Sequence, residues 1–520
     1  MTPELISTQD SSPSSTQTSN SPETAAAATL QDAPAAGVGP AQGIFGSKGV
    51  DYYAYLDPTM PFAGQVSKPI NKAASTQTFP LTPGSMQHGN LQIEDSDVPW
   101  LDNGRFSWQV QLGAPIVASG YAEISPFSGN LGDSSMGNML GTPSQFDFNQ
   151  GWAVSYGFYD ADSSKAGVLT NQDQFYAYAT RDLSTWMSNL YKESGGNLDF
   201  QTLVLPGAHD AGMFDPTMLT TVAGSAAFLG LLGGALGFAV SALATPMVIR
   251  GAINFAFTQK DNVTSMLNLG IRYFDFRPGY CCAGIASGSL TTTLYHQHLF
   301  VPGYPYQSFL VDVLNWLKAH PTEIVVINLN HQGFASDSMI PTLDVLNQVL
   351  SDAQAATGTQ QSIVPGSYGD INLYREMLGA NKRLIFLNQF GYPSDTVKWD
   401  SYSDDLYKTT DVNNILTALK NMNPLNKPAQ SCYTVLQVQG TATGASFLGN
   451  ASKAFTLSDT SSPLMSTKPG FDNQTYPWLV DNLATIAPVA NELIVILNDF
   501  ADNALTNLVV GLNESRLRLG

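Results

Sequence analysis

Two imidazoles, a guanidinium and several carboxylates stand at or near the ends of short apolar runs in this chain. His209 and Asp210 end Thr202-Leu-Val-Leu-Pro-Gly-Ala-His-Asp210, Asp275 and Arg277 end Gly270-Ile-Arg-Tyr-Phe-Asp-Phe-Arg277, and His296 and His298 lie in Thr293-Leu-Tyr-His-Gln-His298. At strand period, Asp275 and Arg277 leave the same face. An imidazole, with an unperturbed pKa of about 6.5, holds or releases a proton at neutral pH; a guanidinium stabilises growing negative charge; a carboxylate orients an imidazole. Together they form a kit for cleaving a phosphodiester.

The elements that must position these residues change character along the chain. Residues 1–48 are rich in Ser, Thr, Ala, Pro and Gln with few large apolar groups, which predicts a disordered arm. From 49 to 180 the pattern alternates at period two, with Phe106, Trp108, Val110 and Leu112 in one stretch, Trp152, Val154, Tyr156 and Phe158 in another, and 174–180 as a third. That predicts a β-rich accessory module of about seven or eight half-buried strands. Helical spacing begins at Leu183, Trp186, Met187, Leu190 and Tyr191, and a third segment, 181–520, starts here. In it apolar β-branched runs at 202–205, 270–276, 290–295, 323–329, 383–387, 433–438 and 493–497 alternate with helical stretches. Such alternation suits an α/β closed parallel barrel of the (β/α)8 TIM type, regular or distorted, with its chemistry at the carboxyl ends of the strands.

Composition narrows the partners. The formal charge of -19 argues against nucleic acid or an electrostatically attracted anionic bilayer. Three cysteines, Cys281, Cys282 and Cys432, make neither a disulfide framework nor a zinc quartet; a Cys282–Cys432 pair is compatible with the sequence, which offers no support for it. No basic start followed by an apolar core marks a conventional secretory signal, so the reading leaves both non-conventional export and a cytoplasmic or membrane-peripheral place open, and it assigns no oligomeric state.

The ordered series Trp186-Met187, Leu205-Pro-Gly-Ala-His-Asp210, Gly270 to Arg277, Tyr295-His296 and His320-Pro-Thr-Glu-Ile-Val-Val-Ile327 resembles the catalytic X domain of phosphatidylinositol-specific phospholipases C. The resemblance implies a phosphodiesterase barrel that splits inositol phospholipids into diacylglycerol and a cyclic inositol phosphate. His209 matches the family's general base and His296 its general acid, with His298 a rival for the acid. Asp210 would orient the acid and Asp499 the base, with Asn498 as the other candidate for the inward position. Asp275, His298 and Asn330 fall where substrate is bound. Calcium-dependent members carry a carboxylate where this chain has Arg277, which implies neither metal nor other cofactor. The implied partners are a phospholipid surface and an inositol phospholipid, with no nucleic acid. Two other classes stay open: a phosphodiesterase on another head group, and a noncatalytic membrane-binding protein that keeps the barrel.

Each residue also has a plainer structural role available. The His209-Asp210 pair could cap a loop, Arg277 could pair with Asp275, and Asp499 could cap a helix over 501–508. The apolar insertion at about 216–257 includes an uncharged run from Pro216 to Ile249, long enough to span a bilayer. A single crossing would separate His209 from Arg277, so the run is expected to be a helical hairpin broken at Gly233-Gly234. Its tip either dips into a membrane interface or packs against the protein.

Overall fold

The computed structural model describes residues 49–519 apart from 73–74, 128–130, 137–138, 161–172, 237–243, 282–292, 389–397, 402–408, 410, 422–430, 441–463, 466 and 483–491. The arm expected over 1–48 and the Cys282–Cys432 pairing therefore lie outside the described residues. Alternating apolar residues at 49–181 build ten strands in two five-stranded sheets. One sheet orders 87–92, 49–56, 173–181, 152–160 and 145–147; the other orders 75–81, 62–70, 104–112, 116–124 and 131–134. The inward set Phe106, Trp108 and Val110 of one sheet meets Val50, Phe158 and Phe175 of the other, all buried. The strand Asp173–Arg181 is covered on both faces, because Tyr176 and Tyr178 point away from this sandwich into the core of the rest of the chain.

Six of the apolar runs after 181, with two further short stretches, form eight all-parallel strands among the described residues, labelled here in chain order: β1 Val204–Ala208, β2 Tyr273–Phe276, β3 Val325–Leu329, β4 Pro365–Gly366, β5 Leu384–Asn388, β6 Lys398–Ser401, β7 Ser431–Gln437 and β8 Ile494–Asn498. Their order is β4-β5-β3-β2-β1-β8-β7-β6. Apart from β4, which sits outside β5, this is the cyclic order of a parallel barrel opened between β5 and β6. Among the described residues no ladder closes it, and they form a half-barrel sheet. The expected barrel strand at 290–295 is corrected. Its described part is in Leu294–His298, which pairs antiparallel with Pro278–Tyr280 and Val301–Pro305 in a separate small sheet. Buried on both faces, β1, β2, β3, β5, β7 and β8 read as continuous apolar runs. Leu205, Tyr273, Val326, Ile385, Val435 and Val495 share the inner face, whereas Val204, Phe274, Ile327 and Ile496 face the covering helices.

The apolar insertion is helical at Thr217–Val222, Ala226–Leu236 and Thr245–Ala256. The second of these runs through Gly233 and Gly234, so the break expected there does not occur. Leu219, Phe228, Leu232 and Val248 are buried, and Phe228 packs edge-on against Phe300 at 5.6 Å. No helix among the described residues is long and apolar enough to cross a membrane. From Gln42 onward the chain is one compact unit.

Candidate active site

The inner-face parity of the sheet carries the polar residues at its carboxyl ends. On β1, Leu205 faces inward, so His209 does as well, and its backbone N–H is fixed by the Asn498 carbonyl at 3.0 Å. In an extended chain Asp210 would then point away. Instead β1 has ended, and Asp210 takes the left-handed conformation at φ 44, which turns its buried carboxylate back toward His209. The two side chains thus share a site, with His209 Nε2 3.5 Å from Asp210 Oδ2. On β2 the same parity brings Asp275 and Arg277 inward.

At its other ring nitrogen, His209 Nδ1 lies 2.7 Å from Asp499 Oδ1. The one-residue choice at the end of β8 is thereby decided: Asn498 turns elsewhere, donating to Asp472 Oδ1 and to the Tyr476 hydroxyl, each at 2.9 Å. Nor does Asp499 cap the last helix, where Asp502 accepts from Leu505 N at 2.8 Å. Burial is the largest influence on His209 and works downward. The charges of Asp210 and Asp499 outweigh it, against Arg277, and push its pKa up to about 9. Burial likewise raises Asp499, opposed by His209. Asp210 is driven upward by burial but held well below the usual carboxylate range by Arg277 and the surrounding imidazoles.

Arg277 lies at the centre of this cluster. Its Nε is 2.9 Å from Asp210 Oδ1, and its Nη2 is 3.1 Å from both Asp275 Oδ2 and His209 Nε2. A guanidinium can only donate, so the His209 contact is a hydrogen bond only in the neutral ring that carries its proton on Nδ1 and its lone pair on Nε2. His209, Asp210 and Asp275 offer ligand atoms within 4.8 Å of one another, a spacing that could hold a metal ion. The donor set does not fit one, because a permanent cation already lies among those atoms and uses all three side chains.

The two histidines of the small sheet differ sharply. They sit two residues apart, yet the side chain of His296 is wholly buried and that of His298 is 22 % exposed. Both nitrogens of His296 are engaged: Nδ1 accepts from the Arg277 backbone N–H at 3.2 Å, which places the proton on Nε2, 3.2 Å from Asp210 Oδ1. Gly212 allows this packing, since a Cβ there would lie 2.4 Å from His296 Cβ. His298 donates from Nδ1 to the Ala256 carbonyl at 2.9 Å and leaves Nε2 facing the site, 3.9 Å from Asp210 Oδ2. Burial lowers both rings below the ordinary imidazole value; Asp210 opposes this in each. The ring expected as the acid, His296, is thus wholly buried, whereas the side chains of His209 and His298 are 16 % and 22 % exposed.

Asp275 and Asn330, expected at the substrate, are buried behind Arg277. Asn330 and Asn328 both donate to Asp275 Oδ1, and Asp275 in turn holds the guanidinium. Through these bonds they brace the cation. The sequence reading missed several residues. The Gln332 carbonyl accepts from Arg277 Nη1 at 3.4 Å. Gln259 and Thr258 bind the His209 carbonyl from behind, at 2.8 and 3.2 Å. Gln437 and Gln439 extend the inner face of β7 beside β8. Only the glutamine pair had a sequence signal, the alternation of Tyr433, Val435, Gln437 and Gln439.

No family model matches the chain. It is 26 % identical over 146 residues to the PI-PLC X domain-containing protein 1 of Mus musculus, covering 28 % of this chain and 39 % of that protein. With the Homo sapiens protein of the same name it is 25 % identical over 153 residues, 29 % of this chain and 43 % of that one. The chain therefore spans less than half the length of these curated relatives. Among solved structures, a mutant phosphatidylinositol-specific phospholipase C from Staphylococcus aureus aligns at 15 % identity and TM-score 0.38, over 63 % of this chain and 96 % of that one. The phosphatidylinositol-specific phospholipase C from Listeria monocytogenes aligns at 15 % and 0.38, over 64 % and 98 %. By its ordered motifs and its curated sequence matches, the chain is a PI-PLC X-domain-like protein.

Proposed function

We propose that the chain is a metal-independent phosphodiesterase of the phospholipase C type, cleaving phosphatidylinositol-type lipids to diacylglycerol and a cyclic inositol phosphate. One observation carries the reading: His209 Nε2 and His298 Nε2 approach the same Asp210 oxygen at 3.5 and 3.9 Å, with the Arg277 guanidinium between the carboxylates. The inositol lipid itself is taken from the motif resemblance and from the name of the curated relatives.

Asp499 keeps the proton of His209 on Nδ1, so Nε2 presents its lone pair to the hydroxyl beside the phosphodiester. As that hydroxyl loses its proton, its oxygen bonds to phosphorus and the bond to the diacylglycerol oxygen breaks. An internal nucleophile gives up little further translational freedom. Arg277 exchanges its contact with His209 for a phosphoryl oxygen and offsets the charge growing there. The acid moves from His296 to His298, whose Nε2–H protonates the leaving oxygen while Nδ1 stays on the Ala256 carbonyl. In the resting site the proton favours His209 over His298. An arriving phosphodiester anion favours the charged form of His298, and the reactive species needs only one proton on the pair.

The test is release of diacylglycerol from phosphatidylinositol in detergent micelles. Equal rates with chelator and with added calcium are expected; a calcium requirement would remove the reading.

A further inference from the structure

The segment from Ala256 to Asp261, which leaves the last insertion helix, touches the chain at His209, at Asp210, on both sides of Asp499 and at His298. Gln259 Nε2 donates to the carbonyls of His209 and Asn498 at 2.8 and 3.4 Å, while its Oε1 accepts from Ala501 N at 2.9 Å. Thr258 Oγ1 lies 3.2 Å from the carbonyls of both His209 and Asp210, and the Thr258 carbonyl accepts from Phe500 N at 2.6 Å. The Ala256 carbonyl orients His298. One short stretch thus lies behind the base, behind both carboxylates that flank it, and behind the second ring.

That stretch is pinned in turn by the β-rich part of the chain. Lys260 Nζ donates to the Thr142 carbonyl at 2.8 Å, to Ser144 Oγ at 3.2 Å and to Asp261 Oδ2 at 2.8 Å. Asp261 accepts from Ser144 N and from Ser144 Oγ, both at 2.7 Å. The Lys260 and Asp261 side chains are 0 % and 1 % exposed. Thr142 and Ser144 belong to the loop just before the strand Gln145–Asp147. A buried pair with every donor and acceptor matched fixes one geometry, because any other leaves a buried charge unpaired.

We infer that the β sandwich is a working part of the catalytic centre, and that Ser144, Lys260, Asp261 and Gln259 are positioning residues that latch its 142–144 loop to the segment aiming His209 and His298. The inference rests on the proposed roles of those two histidines. None of the four needs to touch substrate. A misplacement of about 1 Å at a reacting group costs about 10²-fold in rate, so loosening the latch lowers turnover without weakening binding.

The test uses the full chain with Ser144→Ala and Gln259→Leu. NMR titration of the histidine rings needs no turnover, and kcat and KM are measured on a soluble inositol phosphodiester. With melting retained, both variants are expected to move the His209 titration down from about 9 toward the ordinary imidazole value, as its carboxylate contacts loosen. Both should lower kcat by about 10- to 100-fold with KM nearly unchanged, and Ser144→Thr should restore both. Wild-type titration and kcat in Ser144→Ala, or a change confined to KM, would overturn the inference. Should Ser144→Ala fail to fold, Gln259→Leu carries the same two outcomes alone. A wild-type chain that never cleaves the diester would remove the phosphodiesterase reading, while the His209 titration in the variants still decides the latch.

Discussion

At the residue scale the proposed chemistry turns on which nitrogen holds which proton. His209 and His298 are the proposed base and acid and keep partly exposed side chains, so His209→Ala and His298→Ala are expected to lower kcat by about 10² to 10⁴ with little change in melting temperature. His296→Ala should do the reverse: it removes a buried donor to Asp210, a loss of about 1–3 kcal/mol read by chemical denaturation, with a smaller fall in rate. A crippled but stable His296→Ala beside a near-normal His298→Ala would return the acid to 296. The dependence of kcat/KM on pH should be a bell, since one proton on the His209–His298 pair is required. Its acidic limb lies below the ordinary imidazole value of 6.5, because burial lowers His298, and its alkaline limb lies near 9, where His209 loses its proton. Asp499→Asn removes a charge that raises His209, so the alkaline limb moves to lower pH. A limb left in place would separate Asp499 from the base.

At the element scale, the runs that became β1, β2, β3, β5, β7 and β8 were visible because a strand buried on both faces needs continuous apolar residues. β4 and β6 were not, for Pro365–Gly366 is too short to show a period and Lys398–Ser401 has no apolar run. The run ending in His298 has strand-forming residues, but composition does not encode the direction of a partner, and it joined an antiparallel sheet. His296 and His298 share a parity, so period alone could not rank them. The acceptors that separate them, the Arg277 backbone and the Ala256 carbonyl, come from distant segments. Asp499 and Asn498 differ by one position, where a one-residue shift flips the face, and only the hydrogen bonds decided between them. In the insertion, Gly233 and Gly234 weaken helical propensity without ending the helix, because Phe228 and Leu232 are held by packing. Phe228→Ala should therefore cost about 3–5 kcal/mol in denaturant unfolding; a near-neutral result would mean that this helix is not part of the core.

At the scale of the whole molecule, the sandwich and the parallel sheet meet through buried polar groups as well as apolar ones. Lys468 pairs with Asp472 and Asp502 at 2.8 and 2.6 Å. Tyr178 of the sandwich donates to Asp472 at 3.1 Å, and Asn498 of β8 reaches the same carboxylate. Lys468→Met leaves two buried carboxylates without their cation and should cost about 3–5 kcal/mol, seen as a lower melting temperature of the entire chain; independent melting of the sandwich would contradict such coupling. The central claim is that two imidazoles and a guanidinium carry out an internal phosphoryl displacement without metal. Phosphorus NMR of phosphatidylinositol incubated with the full chain in excess chelator tests it most directly. The expected result is the resonance of a cyclic inositol phosphate appearing as the lipid signal falls, absent with His209→Ala. Intact lipid, or an acyclic head group as the first product, would contradict it.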